Sequence, residues 1–254
     1  MLQKSIERVL ALPDLRPSPA VNAAFTELVT SVVATSGHME QSESVCEQVR
    51  HTAAAAETEL ELAWARRIQE ADTPLEVAAL FPYADNYTEL VRREIECVEA
   101  SGKLLDGGRI LIIGSGPLPL SAYEYVRQRS VIADHVDISA RAVVLCHDVS
   151  RLLGVPGETL LGDGRTVTLS SRYDAILVAG LAGETLSDKQ AIIDHIVPVL
   201  VEDGRIIVRS AKGSRALLYP AIEAAGLRNV SLLSEYHPDD DVINSVFIYK
   251  KETV

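Results

Sequence analysis

Arg109-Ile110-Leu111-Ile112-Ile113-Gly114-Ser115-Gly116-Pro117-Leu118-Pro119-Leu120 is the stretch whose reading decides the fold. Four consecutive apolar residues, Ile110 to Ile113, run straight into Gly114-Ser115-Gly116. That is the pattern of a parallel strand buried on both faces whose end must let backbone approach a ligand. It predicts the first strand of a nucleotide-binding sheet. The dinucleotide fingerprint wants a third glycine three residues on, and Pro119 stands there instead. Pro117 and Pro119 stiffen the loop and remove N–H groups that a phosphate-binding helix N-terminus would need, which favours a ligand without phosphates. On this stretch alone, an ordinary strand-turn-helix with no ligand is the competing reading.

Outward from it, the chain after Gly107-Gly108 alternates strands with helices. Strands are expected at about 109–113, 132–136, 158–161, 173–179, 204–209, 229–236 and 243–249, with helices between the first five. The pattern is α/β: a seven-stranded doubly wound sheet whose last strand follows a short turn and runs antiparallel, the methyltransferase-like variant of that plan. Ligands in such sheets lie beyond the carboxyl ends of the strands. That rule selects Gly114-Ser115-Gly116, Asp137-Ile138-Ser139, Asp163-Gly164, Ala179-Gly180-Leu181, Arg209-Ser210 and Tyr236-His237.

Asp137 follows Gly116 by 21 residues, where a carboxylate suits the two hydroxyls of a ribose; capping a helix that begins near Ala140 is its other reading. Asp163-Gly164 is placed to contact adenine, and is equally a common turn dipeptide. Arg209 would set a fixed cation at the pocket mouth, suited to a carboxylate; an exposed ion pair explains it as well. His237-Pro238-Asp239-Asp240-Asp241 brings three acids together, but consecutive acids in a loop are more often solvated, and one histidine supplies no metal-ligand spacing, so no metal site is expected.

Before Gly102 the spacing is helical throughout, punctuated by Pro13, Pro17, Pro19, Gly37, Pro74 and Pro82. Helices are expected at roughly 3–12, 19–35, 39–71, 74–80 and 85–101, the last opened by Asp85 or Asn86 as N-cap. Residues 1–105 thus form a helical domain and 106–254 the sheet domain. On the long third helix Leu60, Trp64 and Ile68 make one buried stripe, and Glu57 and Glu61 share the neighbouring face, where both can look into one groove or form a solvated acidic face.

Composition bounds the functions. A chain of 254 residues with 47% hydrophobic and 24% charged residues is ordinary globular usage, and a net charge of -12 with no basic stripe argues against unspecific nucleic-acid binding. Three widely spaced cysteines, Cys46, Cys97 and Cys146, support neither a disulfide framework nor a CxxC metal site, so the reducing cytoplasm is the expected compartment. Charges interrupt the first fifteen residues, which fits neither a signal peptide nor a membrane span of about 20 apolar residues.

Four strings carry a family resemblance: Gly114-Ser115-Gly116-Pro117-Leu118-Pro119-Leu120; Arg209 to Pro220 (Arg-Ser-Ala-Lys-Gly-Ser-Arg-Ala-Leu-Leu-Tyr-Pro); Tyr236 to Val246 (Tyr-His-Pro-Asp-Asp-Asp-Val-Ile-Asn-Ser-Val); and Phe81-Pro82-Tyr83-Ala84-Asp85-Asn86-Tyr87. They resemble the motifs of the nicotianamine synthase family, from about residue 57 to the C-terminus. The resemblance implies an N-terminal helical lid over a class I methyltransferase-like, Rossmann-type domain that uses S-adenosylmethionine as donor of its aminocarboxypropyl arm, as a co-substrate, with no metal required. Tyr83-Ala84-Asp85-Asn86-Tyr87 stands where plant enzymes have Tyr-Tyr-Asn-Asn-Tyr, and Lys212 where they have His. With its compact length, the chain more nearly resembles the bacterial enzymes of staphylopine- and pseudopaline-type opine metallophores. Those add one aminobutanoyl unit to the α-amine of histidine and release methylthioadenosine.

The resemblance puts the catalytic Glu and Tyr on Glu61 and Tyr87, the S-adenosylmethionine contacts on Gly114 to Pro117, Asp137 to Ser139, Asp163, Gly164 and Ala179 to Leu181, and the acceptor near Tyr83, Asn86, Arg209, Tyr236 and His237. Its partners would be a small amino-acid acceptor and a downstream opine dehydrogenase, with a homodimer left open. A conventional methyltransferase and a non-catalytic nucleotide- or metal-binding module are the competing classes, and glutamate or a further S-adenosylmethionine the competing acceptors.

Overall fold

The computed structural model describes residues 1–35 and 41–252. Five helices come first: α1 (Leu2–Leu10), α2 (Pro19–Ala34), α3 (Glu43–Gln69), α4 (Pro74–Ala79) and α5 (Ala84–Ala100). Their order and type match the periodicity reading; the first residues of the expected third helix, up to 40, lie outside the described residues. Neither Asp85 nor Asn86 caps α5. Its N-cap is Tyr83, because the chain enters from the turn that follows α4, and the Asn86 amide instead donates to the Asp241 carbonyl, 3.1 Å away.

The sheet follows: β1 (Arg109–Ile113), α6 (Leu120–Arg129), β2 (Ile132–Asp137), α7 (Ala140–Leu153), β3 (Thr159–Leu161), β4 (Tyr173–Val178), α8 (Leu186–Ile196), β5 (Leu200–Ser210), β6 (Val230–Tyr236) and β7 (Ser245–Lys251). Strand order is β3-β2-β1-β4-β5-β7-β6. β1 is an interior strand, parallel to β2 and β4, and β7 is antiparallel to both β5 and β6. Ile110 to Ile113 are all at most 3% exposed, which explains why the run reads as continuously apolar rather than alternating. One expectation fails: no helix joins β3 to β4. Residues 162–172 form turns and extended chain, in which the β-branched Thr166-Val167-Thr168 is a poor helix former and Val167 and Leu169 pack onto the sheet instead.

Three apolar cores hold the elements, and α3 takes part in two. Its first half, with Cys46, Val49 and Ala53, packs with α1, α2, Leu217 and Leu218. Its second half, with Leu62, Ala65 and Ile68, joins α5, α6 and the face of the sheet. The other face of the sheet is covered by Ile192, Ile193 and Ile196 of α8. Glu57 and Glu61 fall between the two cores of α3, where the helix crosses the carboxyl end of the sheet. Leu60 and Trp64 are partly buried against the same core as Ile68, as their spacing predicts.

Candidate active site

A cavity of about 1120 Å³ opens between α3 and the carboxyl ends of the strands. Its floor starts at the turn after β1. Gly114 and Gly116 adopt φ of +77° and +66°, a left-handed backbone that side chains other than glycine rarely accept. Gly116 also sits directly under α3, since a Cβ there would lie 2.7 Å from Glu61 Oε2. The Gly116 N–H donates to Asp137 Oδ2 at 2.9 Å, and the Ser139 N–H donates to Asp137 Oδ1 at 2.9 Å. Asp137 therefore ties the ends of β1 and β2 together, while the cap of α7 is Ser139, whose Oγ accepts from the Ala142 N–H. Next to it Ile138 is 71% exposed, an apolar side chain left uncovered on the cavity wall.

Two carboxyl–phenol pairs form the roof. Tyr87 Oη donates to Glu61 Oε1 at 3.0 Å, and Tyr219 Oη donates to both oxygens of Glu57 at 2.8 and 2.9 Å. Burial is the largest influence on Glu61 and pushes its carboxyl well above the usual carboxylate range; the neighbouring Glu57 charge raises it further, and the Tyr87 bond opposes the rise. Glu57 is raised by burial too, against the Tyr219 bond. The same burial pushes Tyr87 and Tyr219 well above an ordinary phenol, so each stays protonated and donating. Tyr87 is held by Phe81, whose ring lies 6.3 Å from it and meets Trp64 and Tyr83 edge-on at 5.7 and 5.8 Å.

A Nicotianamine synthase protein family profile matches residues 2–254. Nicotianamine synthase 2 of Oryza sativa subsp. japonica is 32% identical over 254 residues, covering 94% of this chain and 78% of that protein. The chain belongs to the nicotianamine synthase family. Nicotianamine synthase 9 of Hordeum vulgare is 32% identical over 253 residues, covering 94% of this chain and 74% of that protein. Among solved structures, a Glu-to-Gln variant of MtNAS in complex with S-adenosylmethionine shares the fold at a TM-score of 0.81 with 21% identity, covering 98% of this chain and 96% of that one. An S-adenosylmethionine-dependent methyltransferase from Clostridium acetobutylicum aligns at a TM-score of 0.52 with 10% identity, over 66% of this chain and 92% of that one, so the architecture is that of the class I methyltransferases.

Of the residues singled out from the sequence, Glu61, Tyr83, Asn86, Tyr87, Gly114 to Pro117, Asp137 to Ser139, Asp163, Gly164 and Ala179 to Leu181 all line the cavity of this family member. Asp163 is already engaged: the Arg165 guanidinium and N–H hold its carboxyl down at about 2. Two substrate assignments are corrected, and Arg209 lines the cavity in a setting other than the expected one. Arg209 reaches the cavity wall but is no cation at its mouth; it is 6% exposed, its guanidinium paired with Glu94 at 2.6 Å and donating to Ser121 Oγ at 2.9 Å. Tyr236 and His237 do not line the cavity, because β6 is the edge strand beyond β7. Tyr236 carries the Arg93 guanidinium over its ring, and His237 is bonded to Ser245 Oγ at 2.8 Å and to Glu235.

The acidic turn is likewise engaged, Asp240 being paired with Arg93 and accepting the Val242 N–H at 3.1 Å. No cluster of three metal-ligating side chains occurs among the described residues, nor a helix long and apolar enough to cross a membrane. Among the cavity residues inside the quoted family strings, Leu218, Tyr219, Val242, Ile243 and Asn244 are not singled out by the sequence reading.

Proposed function

We propose that this chain transfers the 3-amino-3-carboxypropyl (aminobutanoyl) group of S-adenosylmethionine to the α-amine of an amino acid, histidine in first place, and releases 5′-methylthioadenosine. One observation carries the reading: a half-buried carboxyl, Glu61, bonded to a phenol and placed directly over the glycine loop of the donor seat. Methyl transfer has no need of such a base unless its acceptor is protonated. Transfer to an amino-acid nitrogen does, because that amine is an ammonium ion at neutral pH.

The cavity fits the donor. Asp137 spends one lone pair of each oxygen on a backbone N–H and keeps the others for a ribose diol. Ile138 offers an apolar surface to a purine. Gly114 and Gly116 leave room for the methionine arm beneath Glu61. A sulfonium is already an activated leaving group, so the residues must orient and deprotonate. A positive charge brought beside Glu61 favours its ionised form against the burial that disfavours it, so donor binding itself readies the base. Glu61 takes the ammonium proton, the freed nitrogen lone pair attacks the arm carbon next to sulfur, and the carbon–sulfur electrons return to sulfur as a neutral thioether. Tyr87 fixes the carboxyl and stays protonated throughout.

Ala84-Asp85 within the lid string and Lys212 support a single transfer to histidine over the plant reaction. The product would then feed a reductive step by an opine dehydrogenase. The test is to incubate the protein with S-adenosylmethionine and histidine, glutamate or no second amino acid, and to identify the nucleoside released. Methylthioadenosine with histidine is the expected result; adenosylhomocysteine would make the chain a methyltransferase, and no turnover would leave it a binding module.

A further inference from the structure

Every residue assigned to the donor stands at the end of β1, β2, β3 or β4. A further wall of the cavity comes from α2, which carries none of them. At about 1120 Å³ the cavity exceeds the about 300–1,000 Å³ of an ordinary small-molecule site, so donor and acceptor fit together. α2 shows it two neighbouring stripes at helical spacing: Phe25 and Val29 are half-buried against the core that holds Ala53 of α3, and Asn22, Thr26 and Thr30 are exposed. The one charged residue of α2, Glu27, is paired with Arg8 and does not line the cavity. Glu57 of α3 does, half-buried, and it is bonded to Tyr219, whose ring packs on the same core as Phe25 and Val29.

The charge balance of the cavity is one-sided. Glu57, Glu61, Glu184 and Asp241 all line it. Among the described residues its fixed cations are two arginines, and both are taken: Arg165 by Asp163 and Arg209 by Glu94, each at 2.6 Å.

We propose that the acceptor's side chain lies between α2 and α3, against Phe25 and Val29 with Glu57 as its polar partner, so that the site takes a nitrogen heterocycle and turns away a side-chain carboxylate. This rests on the transfer reaction described above. Amino-acid acceptors share the α-amine and the α-carboxylate, so only the side chain separates them. An imidazole offers an apolar face to Phe25 and Val29 and a ring N–H to a Glu57 oxygen, each of which keeps a lone pair beside the Tyr219 bond. A glutamate side chain brings one more negative charge to the same place with no cation to meet it, and an unpaired charge is the costly one to desolvate.

Histidine, alanine, glutamine and glutamate, compared as acceptors in methylthioadenosine formation or, where they are not turned over, as inhibitors of histidine transfer, test the assignment. Glutamine and glutamate differ in charge at nearly constant shape. The parent should favour glutamine over glutamate, and histidine over alanine, by ~10-fold or more, the scale of a hydrogen bond to a charged group. Glu57→Gln should narrow the glutamine-to-glutamate ratio, which a general effect on the neighbouring Glu61 would not move, since it acts on every acceptor alike. Thr26→Arg, at an exposed position of α2, supplies the missing cation and should shift that ratio toward glutamate by ~10-fold. Equal use of glutamine and glutamate by the parent, a preference for glutamate, or equal use of histidine and alanine overturns the proposal and needs no variant to fold. So does a ratio that neither variant moves while both keep the parent's melting temperature. Failure of the parent to form methylthioadenosine from any amino acid would instead sink the transfer reaction, and this assignment with it.

Discussion

Two acids, Glu94 fully buried on α5 and Glu61 half-buried on α3, meet opposite fates. Glu94 of α5 is fully buried, and its oxygens accept two bonds from Arg209, at 2.6 and 3.1 Å, and one from Tyr125 Oη at 3.0 Å. Glu61 of α3 accepts one bond from the Tyr87 phenol and, among the described residues, forms no ion pair. A compensating cation acts at a distance: the Arg209 charge lowers the proton affinity of Glu61 and Glu57 without bonding to either. Burial alone therefore does not make a carboxyl reactive. A saturated acid anchors α5 to the sheet, and an unsaturated one is left with an appetite for a proton.

The largest expected effect follows from the saturated cluster. Arg209→Ala leaves Glu94 buried without its cation and should cost about 3–5 kcal/mol in denaturant unfolding. A variant that kept its stability and lost only acceptor affinity would return Arg209 to a substrate role. Next, Glu61→Gln keeps the shape and removes the base, so methylthioadenosine formation should slow by at least ~10²-fold while calorimetry still detects S-adenosylmethionine binding. Unchanged turnover would remove Glu61 from the reaction and erase the contrast.

The smallest effect concerns stability. A carboxyl whose folded value is raised binds its proton more tightly in the native state than in the unfolded chain, where it ionises near 4.5. The stability this contributes is full below that value and is lost as pH rises toward the raised one. Glu61→Gln cannot ionise and escapes the loss, so at neutral pH it should melt a few degrees above the parent. The gap should close as the pH falls below the ordinary carboxylate range. A lower melting temperature at neutral pH would show that ionised Glu61 is stabilised in the fold.

Much of this was legible in the chain. The apolar run at Ile110, the glycines after it and the 3.6-residue spacing of the first hundred residues are local patterns, and each reports burial on one or both faces directly. The helix expected between β3 and β4 failed because alternation of strand and helix is a habit of the fold class, not a property of Thr166-Val167-Thr168. Arg209 was misplaced for a different reason. Its strand-end position was right, but its partner Glu94 lies 115 residues earlier, and nothing local announces a pair of that span. Tyr236 and His237 also follow a strand end, yet that strand proved to be the edge of the sheet.

The sequence by itself determined most of the elements, the buried strand β1, the loop built for close backbone approach and the family, because these depend on periodicity and on residue types at fixed spacing. Tertiary structure alone decided which polar groups are satisfied. Glu57 and Glu61 look alike on the helix, as do Arg209 and any exposed arginine, until packing supplies Tyr219, Tyr87 and Glu94 from distant parts of the chain. A buried charge acquires its role from the partners that desolvation forces it to find.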